Sequence, residues 1–520
     1  MQEERRKNNA VTVGAVMVLT LLGKVLGLVR DMMLGHNFST GMLSTAFLAA
    51  SRIPRNFFDA IFASAISASF IPVFNEYLTR DGRREAFRLA NAFITVMALA
   101  TAALSVFGTV FSGELTAFFA DGFDAPTAAL CAQLLRILFP SIIFTGIAFS
   151  MVGILQSLGE FNVPALISAV SNAVIILYYV FFCDRFGVKG LAVAFLVGWA
   201  MQAVVQVPSL RKNGYSYRPC LRHEGLRKVF LLMLPVMVST WIQPINLAVA
   251  TKYASHIYEG AAVSAIEYAN TLYTILVGVF VLSIANVIFP SLSKLGAQGD
   301  ENAFSEAIGS TLGAMLYFLV PMTVGVALLA RPIVRLLYEW GEWNAFSTDI
   351  TATALAFLSL GMIGYGVQTI LSRAYYAVQS GRMPLITGIA SIAVNLALCA
   401  LLAPKWGIAG LTAASSVAAT VPAAVLLFAL KRRYPTLLQR GFASDFFKTI
   451  ISAALMGVVV IFARDALLHL GSGVAARAAT VFFPTFAGII VYFAATYLMR
   501  VRVTRTALAM LRRGRGGKGA

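Results

Sequence analysis

Charged residues inside long apolar stretches are the part of this sequence whose chemistry is most informative. The segment from Leu22 to Phe38 holds Lys24, Arg30 and Asp31 among hydrophobic residues. A charge at the centre of a bilayer costs about 2.5–3.5 kcal/mol on insertion scales. Such residues therefore face a protein interior or a water-filled cavity, where a cation can bind an anion.

A second apolar stretch carries the same kind of charge. Arg52 and Arg55 lie three residues apart, and Asp59 follows one turn later, so the three share one face of a helix. Pro54 lacks a backbone donor and disfavours helical geometry at the residue before it. The sequence therefore predicts a kink or a break in the helix at this point.

The second half of the chain adds a polar face of its own, formed by Lys252, Glu267, Asn270 and Arg373. Across both halves the buried basic residues outnumber the acids that would pair with them. A cationic surplus in a cavity needs an anion, and phosphate suits arginine and lysine best. The sequence thus predicts a central cavity for an anionic, phosphate-bearing amphiphile. Ion pairs between helices, with Asp31, Asp59 and Glu267 as partners, are the alternative.

The elements that position these residues are membrane-spanning helices. Hydrophobic residues make up 59% of the 520 positions and charged residues 12%, about half the charged fraction of a soluble domain. A span needs about 20 apolar residues, which predicts an all-α polytopic protein with about fourteen spans. They lie near 10–36, 41–78, 87–111, 127–157, 161–183, 187–210, 227–256, 261–293, 303–330, 348–379, 383–403, 407–430, 446–468 and 474–499.

The distribution of lysine and arginine between the predicted loops sets the orientation. One side of the membrane carries 26 of these residues and the other side seven. By the positive-inside rule, both termini are expected in the cytoplasm of a multi-pass plasma-membrane protein. The net charge of +18 is therefore a topology signal with some affinity for anionic membrane lipids, and we do not expect nucleic-acid binding.

No catalytic or metal-ligating pattern is visible in the sequence. The four cysteines and four histidines are scattered, which favours free, small hydrophobic cysteines and predicts no disulfide, metal or cofactor. The acids of the two longest external loops, 112–126 and 331–347, have no recognisable catalytic spacing. We therefore expect a transporter and not an enzyme; a membrane glycan polymerase remains the less favoured alternative. A drug or cation antiporter is disfavoured because its cavity would be acidic.

The chain repeats itself at an offset of about 220 residues. The segment "GEFNVPALISAVSNAV" (159–174) aligns with "QSGRMPLITGIASIAV" (379–394), and "FGVKGLAVA" (186–194) aligns with "WGIAGLTAA" (406–414). An even number of spans in each copy gives both copies the same orientation. The predicted divisions are a six-helix lobe at 1–212, a second six-helix lobe at 213–433, two further helices at 434–500 and a basic cytoplasmic tail at 501–520.

Three strings in the sequence resemble one transporter family. "GKVLGLVRD" (23–31) resembles the first-helix signature of the MurJ/MviN lipid II flippases, "IFPSLSK" (288–294) their segment after helix 8, and "RAYYAVQSGRMP" (373–384) a later stretch. The resemblance covers nearly the whole chain. It implies a flippase of the MATE-like exporter superfamily, which moves the undecaprenyl-diphosphate-linked peptidoglycan precursor, lipid II, to the outer leaflet by alternating access.

The resemblance also assigns individual positions. Lys24 falls on a family arginine position, Arg30 and Asp31 match, and Arg52 falls on a basic position before Pro54. The chain departs from the family pattern at Thr45, Phe58, Asp59, Ala63 and the pair Asn270–Thr271, while Arg55 returns a charge to the face of Phe58. These departures keep open the export of another polyprenyl-diphosphate-linked glycan.

The resemblance implies a biological setting as well. Lipid II is the expected substrate, with roles in cell-wall synthesis and cell shape. Cell-wall synthesis proteins are further expected partners. The predicted substrate-binding residues are Lys24, Arg30, Asp31, Arg52, Arg55, Lys252, Glu267, Asn270 and Arg373.

Overall fold

The computed structural model describes residues 2–55, 62, 65–378, 380–438, 441–467 and 473–505. Within these ranges all regular secondary structure is helical. The chain separates into two compact units, Met1–Ser264 and Ala265–Ala520. The boundary falls inside the helix Ala261–Val277. The two units are therefore distinguished by how their helices pack and not by a linker.

In its described residues, the first unit contains twelve α-helices and the start of a thirteenth. They are α1 (Gln2–Phe38), α2 (Met42–Pro54), α3 (Ile71–Arg80), α4 (Arg83–Val110), α5 (Ser112–Phe119), α6 (Ala125–Leu138), α7 (Ser141–Ser157), α8 (Asn162–Phe181), α9 (Cys183–Val204), α10 (Val207–Lys212), α11 (Glu224–Thr240), α12 (Ile242–Ser255) and α13 (Ala261–Val277). Within the described residues α2 includes Pro54, and Arg55 after it keeps helical dihedral angles, φ −68° and ψ −51°. The kink or break at Pro54 stays a prediction. The hydrophobic core of the first unit includes Phe70, whose ring stacks on that of Phe93 with 4.5 Å between the ring centroids.

The second unit continues α13 and contains the remaining helices. They are α14 (Ser283–Gln298), α15 (Glu301–Tyr338), α16 (Ala345–Ser359), α17 (Gly361–Ala377), α18 (Arg382–Arg433), α19 (Phe442–Leu467) and α20 (Val474–Leu498). A core cluster joins α15 to α19 and α20. There the hydroxyl of Tyr492 donates to the Tyr317 carbonyl at 2.5 Å, and the Tyr317 hydroxyl lies 3.1 Å from that of Thr496. The two helices predicted outside the repeat are thus packed onto α15.

The helices agree with a polytopic membrane fold. Eight segments of the described chain are long and apolar enough to cross a membrane, or nine when the pair α16 and α17, bent by 41°, is taken as one span. One of the eight, α18, has 52 residues and would be roughly 78 Å long if straight, more than twice the hydrocarbon thickness of about 30 Å. The remaining predicted spans fall on α1, α2–α3, α11–α12 and α13–α14. The segment α1 contains interior charges, and each of the other three is divided between two helices.

Gly407 divides α18 into two halves that fold back on each other. Its dihedral angles, φ 55° and ψ −132°, are accessible to glycine and strained for other residues. The Ser391 hydroxyl, before the turn, donates to the Ala418 carbonyl after it at 2.8 Å. The sequence prediction of two spans, 383–403 and 407–430, therefore describes this helix correctly.

The equivalent glycine of the other predicted lobe has a similar backbone conformation. Gly187, which the repeat aligns with Gly407, has φ 54° and ψ −149° and turns the chain within α9. A π-helical segment also interrupts the second helix of each predicted lobe, at Ile66–Phe70 and at Gly278–Leu282. These similarities favour the internal repeat; the boundaries 1–212, 213–433, 434–500 and 501–520 stay a prediction.

Candidate functional site

The charges of α1 form a compact cluster with α8 inside the first unit. Nε and Nη2 of Arg30 both donate to Oδ1 of Asp31, at 2.9 and 2.7 Å. Nη1 of Arg30 donates to Oδ1 of Asn172 on α8 at 3.0 Å. The guanidinium also lies over the ring of Phe195 on α9, 5.4 Å from its centroid. The arginine is therefore held from three sides.

Two glycines allow α1 and α8 to approach each other this closely. A Cβ at Gly23 would lie 3.3 Å from the side chain of Ser168, and one at Gly27 would lie 3.4 Å from Nδ2 of Asn172. The close approach that G-x-x-x-G spacing permits is thus observed. Asn172 uses it to donate from Nδ2 to the Gly23 carbonyl at 3.1 Å.

Lys24 directly follows Gly23 on α1, and its surroundings differ from those of Arg30. Its side chain is exposed, and among the residues that the structure describes it makes no ion pair. Asp31, seven residues later, is 8% exposed and holds Arg30. The charge of Arg30 is therefore compensated, whereas Lys24 has no acidic partner among the described residues.

Arg52 is buried in the same unit. It is 4% exposed, and its Nη1 donates to Oγ1 of Thr251 on α12 at 2.5 Å. A cavity of about 20 Å³ adjoins it, lined among others by Thr116 and Cys131, which is room for one water molecule. Arg55 follows at the end of α2 and is half-buried. Phe58, Asp59 and Ala63 lie outside the described residues.

Lys252 pairs with a loop and not with the α1 cluster. Its Nζ lies 3.3 Å from Oδ2 of Asp121, in the loop between α5 and α6, and His256 Nε2 lies 3.1 Å from Oδ1 of the same carboxylate. The Gly122 amide donates to the Ser255 hydroxyl at 3.0 Å. Partial burial raises the pKa of Asp121, but the hydrogen bonds and charges of Lys252 and His256 outweigh it and hold the pKa below its usual value.

The remaining predicted site residues belong to the second unit. Glu267 on α13 is 6% exposed and Asn270 is half-buried. The guanidinium of Arg373 on α17 lies over the ring of Phe289, 5.1 Å from its centroid. Within the first unit, α1, α2 and α12 carry Lys24, Arg30, Arg52 and Lys252; in the second unit, α13 carries the acid and the amide and α17 carries Arg373.

Four of these partners were not singled out from the sequence: Asp121, Asn172, Thr251 and His256. A polar residue inside an apolar span is itself a signal, and Asn172 stands in such a span. Asp121 and His256 carry no such signal, because acids and histidines in loops are commonly solvated. Among the described residues no group of three or more His, Cys, Asp or Glu side chains is placed to hold a metal ion.

Comparison with known proteins identifies the family. The family model for the lipid II flippase MurJ matches residues 34–479. The chain belongs to this family. The match begins after Asp31, so it does not depend on Lys24, Arg30 or Asp31. As a member, the chain is a transporter and not an enzyme, and a multi-pass protein of the bacterial inner membrane.

Individual MurJ relatives are similar over most of their length. The lipid II flippase MurJ of Burkholderia cenocepacia is 28% identical over 447 residues, covering 84% of this chain and 86% of the relative. A probable lipid II flippase MurJ of Vibrio cholerae is 28% identical over 504 residues, covering 94% and 95%. The resemblance stated from the sequence motifs is confirmed.

Solved structures support the same fold. A lipid II flippase MurJ in an inward closed conformation has a TM-score of 0.80 and 25% identity, covering 93% of this chain and 98% of that one. An inward-facing MATE family multidrug transporter of the MOP superfamily has a TM-score of 0.70 at 14% identity, covering 81% and 98%. The second similarity concerns the fold alone. The predicted all-α, MATE-like membrane fold is confirmed.

Proposed function

We propose that this chain moves lipid II, the undecaprenyl-diphosphate-linked peptidoglycan precursor, from the inner to the outer leaflet by alternating access. The observation that carries the proposal is membership of the MurJ family over residues 34–479. Transport of this lipid supplies cell-wall synthesis and so maintains cell shape. No covalent step is required of the protein, because the lipid only changes leaflet.

The charges of the first unit suit the diphosphate. Arginine presents planar, paired donors that match phosphate oxygens, and lysine adds a mobile point charge. Arg30 is oriented by Asp31 and Asn172, and Lys24, six residues earlier on α1, is exposed. In this proposal Arg30 fixes the position of the diphosphate, and Lys24 supplies the charge that Asp31 does not neutralise.

The full set of proposed binding residues extends beyond α1. It comprises Lys24, Arg30, Asp31, Arg52, Arg55, Lys252, Glu267, Asn270 and Arg373. Arg52, with its buried contact to Thr251, keeps positive potential in the first unit. Lys252 reaches a ligand only after its ion pair with Asp121 opens. Glu267 and Asn270 place an acid and an amide one turn apart on α13.

The proposal includes a membrane environment. The excess of lysine and arginine on one side places both termini in the cytoplasm and favours contact with anionic lipids. Cell-wall synthesis proteins are proposed partners because they use the product of transport. Reporter fusions to each terminus test the orientation: a fluorescent protein that folds only in the cytoplasm is expected to be bright at both ends.

A complementation experiment tests the function. Cells depleted of their own lipid II flippase are given this chain, and the accessibility of lipid II to a membrane-impermeant probe at the outer leaflet is measured. We expect growth and accessible lipid II with the wild-type chain. If the cells fail to grow and the purified protein exports a different polyprenyl-diphosphate-linked glycan in vesicles, that glycan is the substrate and lipid II is not.

A further inference from the structure

The unused donors of Arg30 are the starting point. A guanidinium has five N–H groups, and Arg30 uses three: two on Asp31 and one on Asn172. One N–H on each of Nη1 and Nη2 has no partner in the part of the chain that the structure describes. The side chain is only 16% exposed, so these two donors sit in a restricted, partly desolvated position.

Asn172 is what prevents the guanidinium from rotating about its pairing with Asp31. Both bonds to Asp31 converge on a single oxygen, Oδ1, and a single acceptor leaves the plane of the guanidinium free to pivot. The bond from Nη1 to Asn172 adds a second fixed point on another helix. Two separated acceptors define the direction of the two remaining N–H groups.

Asn172 is itself fixed. It is 5% exposed, and its amide nitrogen donates to the Gly23 carbonyl. This bond determines which way the amide is turned, because the oxygen must then face Arg30. Gly23 and Gly27 provide the space for the amide against α1. An isosteric aspartate would accept from Arg30 but would lose the bond to Gly23 and add a negative charge.

We propose that Asn172 is a positioning residue that orients Arg30 so that its two free N–H groups bind the diphosphate of the transported lipid. The proposal rests on the proposed function for the natural substrate, but it is narrower, since it concerns a diphosphate and not the glycan. Asn172 does not touch the ligand. It acts through Arg30, and its contribution should vanish when Arg30 is absent.

A double-mutant cycle on the full-length protein tests this mechanism. Binding of farnesyl diphosphate, a polyprenyl diphosphate without a glycan, is measured in detergent for wild type, Asn172→Ala, Arg30→Ala and the double variant. We expect Asn172→Ala to weaken binding by about tenfold, the scale of one hydrogen bond to a charged group. The double variant should bind as Arg30→Ala does. Equal tenfold losses in both backgrounds would overturn the proposal.

Ser171→Ala is the matched control, because Ser171 is the neighbouring buried polar residue of α8. Its hydroxyl accepts from Gln202 on α9 and has no bond to Arg30. We expect this variant to bind farnesyl diphosphate like wild type, with a thermal unfolding midpoint comparable to that of Asn172→Ala. A matching loss of binding in the control would assign the effect to helix packing and refute positioning.

Lipid II transport by the same four proteins in vesicles separates this inference from the proposed function. Non-additive binding without lipid II transport would retain the role of Asn172 and reject lipid II as the cargo. Lipid II transport together with additive losses of farnesyl diphosphate binding would support lipid II as the cargo and reject the role of Asn172. A wild-type protein that neither binds farnesyl diphosphate nor moves lipid II would overturn both.

Discussion

Replacing Lys24 by glutamine separates ligand binding from stability. The side chain is exposed, and within the described ranges it forms no ion pair, so the substitution removes a positive charge without leaving a buried acid alone. Glutamine keeps a long polar side chain with good helix propensity. Any loss of transport would therefore reflect the missing charge.

The expected magnitude follows from these surroundings. A hydrogen bond to a charged group is worth about 1.5–3 kcal/mol, and the exposure of Lys24 places it at the lower end. Since about 1.4 kcal/mol is a factor of ten, we expect the rate at low lipid II content to fall about tenfold. The free energy of unfolding should change by less than about 0.5 kcal/mol, as for other exposed substitutions.

The assay is lipid II flipping in vesicles over a range of lipid II contents, with thermal unfolding of the same preparations. Lys189→Gln is the matched control, because Lys189 is also exposed and lies in the first turn of the predicted span 187–210, where no substrate contact is predicted. It should flip lipid II like wild type, and Lys24→Arg should retain most activity. Wild-type rates for Lys24→Gln at every lipid II content would refute the role of this lysine in binding the diphosphate.

Three further predictions concern the framework of the first unit. Gly187→Ala should lower the free energy of unfolding by about 1–3 kcal/mol, because φ at Gly187 is 54° although the space around it is open. Gly113→Ala, at a helical position with open space, should leave it unchanged. Equal unfolding midpoints for the two variants would contradict backbone strain at Gly187. Thr251→Val removes the acceptor of Arg52 Nη1 and should cost about 1–3 kcal/mol, which an unchanged unfolding midpoint would refute. The lowered pKa of Asp121 means that its stabilisation is present above the usual carboxyl pKa and is lost as the pH falls through the lowered value; the melting temperature of wild type should therefore fall more steeply on acidification than that of Asp121→Asn, and parallel curves would argue against the ion pair.

The membrane spans were predictable because hydropathy and length are local properties. The repeat was visible as well, since residues such as Gly187 and Gly407 stand at a constant offset and have matching backbones. The π-helical segments were not predictable, because they depend on how neighbouring helices pack. The division between the two units inside α13 likewise follows from packing and has no counterpart in composition.

The partners of the charges were harder to predict than the charges. The sequence offered Asp31 as an ion-pair partner between helices, and it pairs instead with Arg30 of its own helix. The contribution of Asn172 depends on α1 and α8 lying side by side, and their contact residues are 142 positions apart. Lys252 was grouped with the cavity residues, yet its carboxylate partner comes from the loop at Asp121. Spacing along one helix cannot identify a partner on another segment.

The glycine turn of α18 also has a consequence for how the protein is made. At roughly 5–20 residues per second, a ribosome synthesises this 52-residue segment in about 3–10 s, with no soluble loop between its halves. Ser391 in the first half finds the Ala418 carbonyl only after the second half has emerged. Insertion of the two halves together, as a helical hairpin, therefore allows the Ser391 hydroxyl to enter the bilayer with its hydrogen bond to Ala418 already formed.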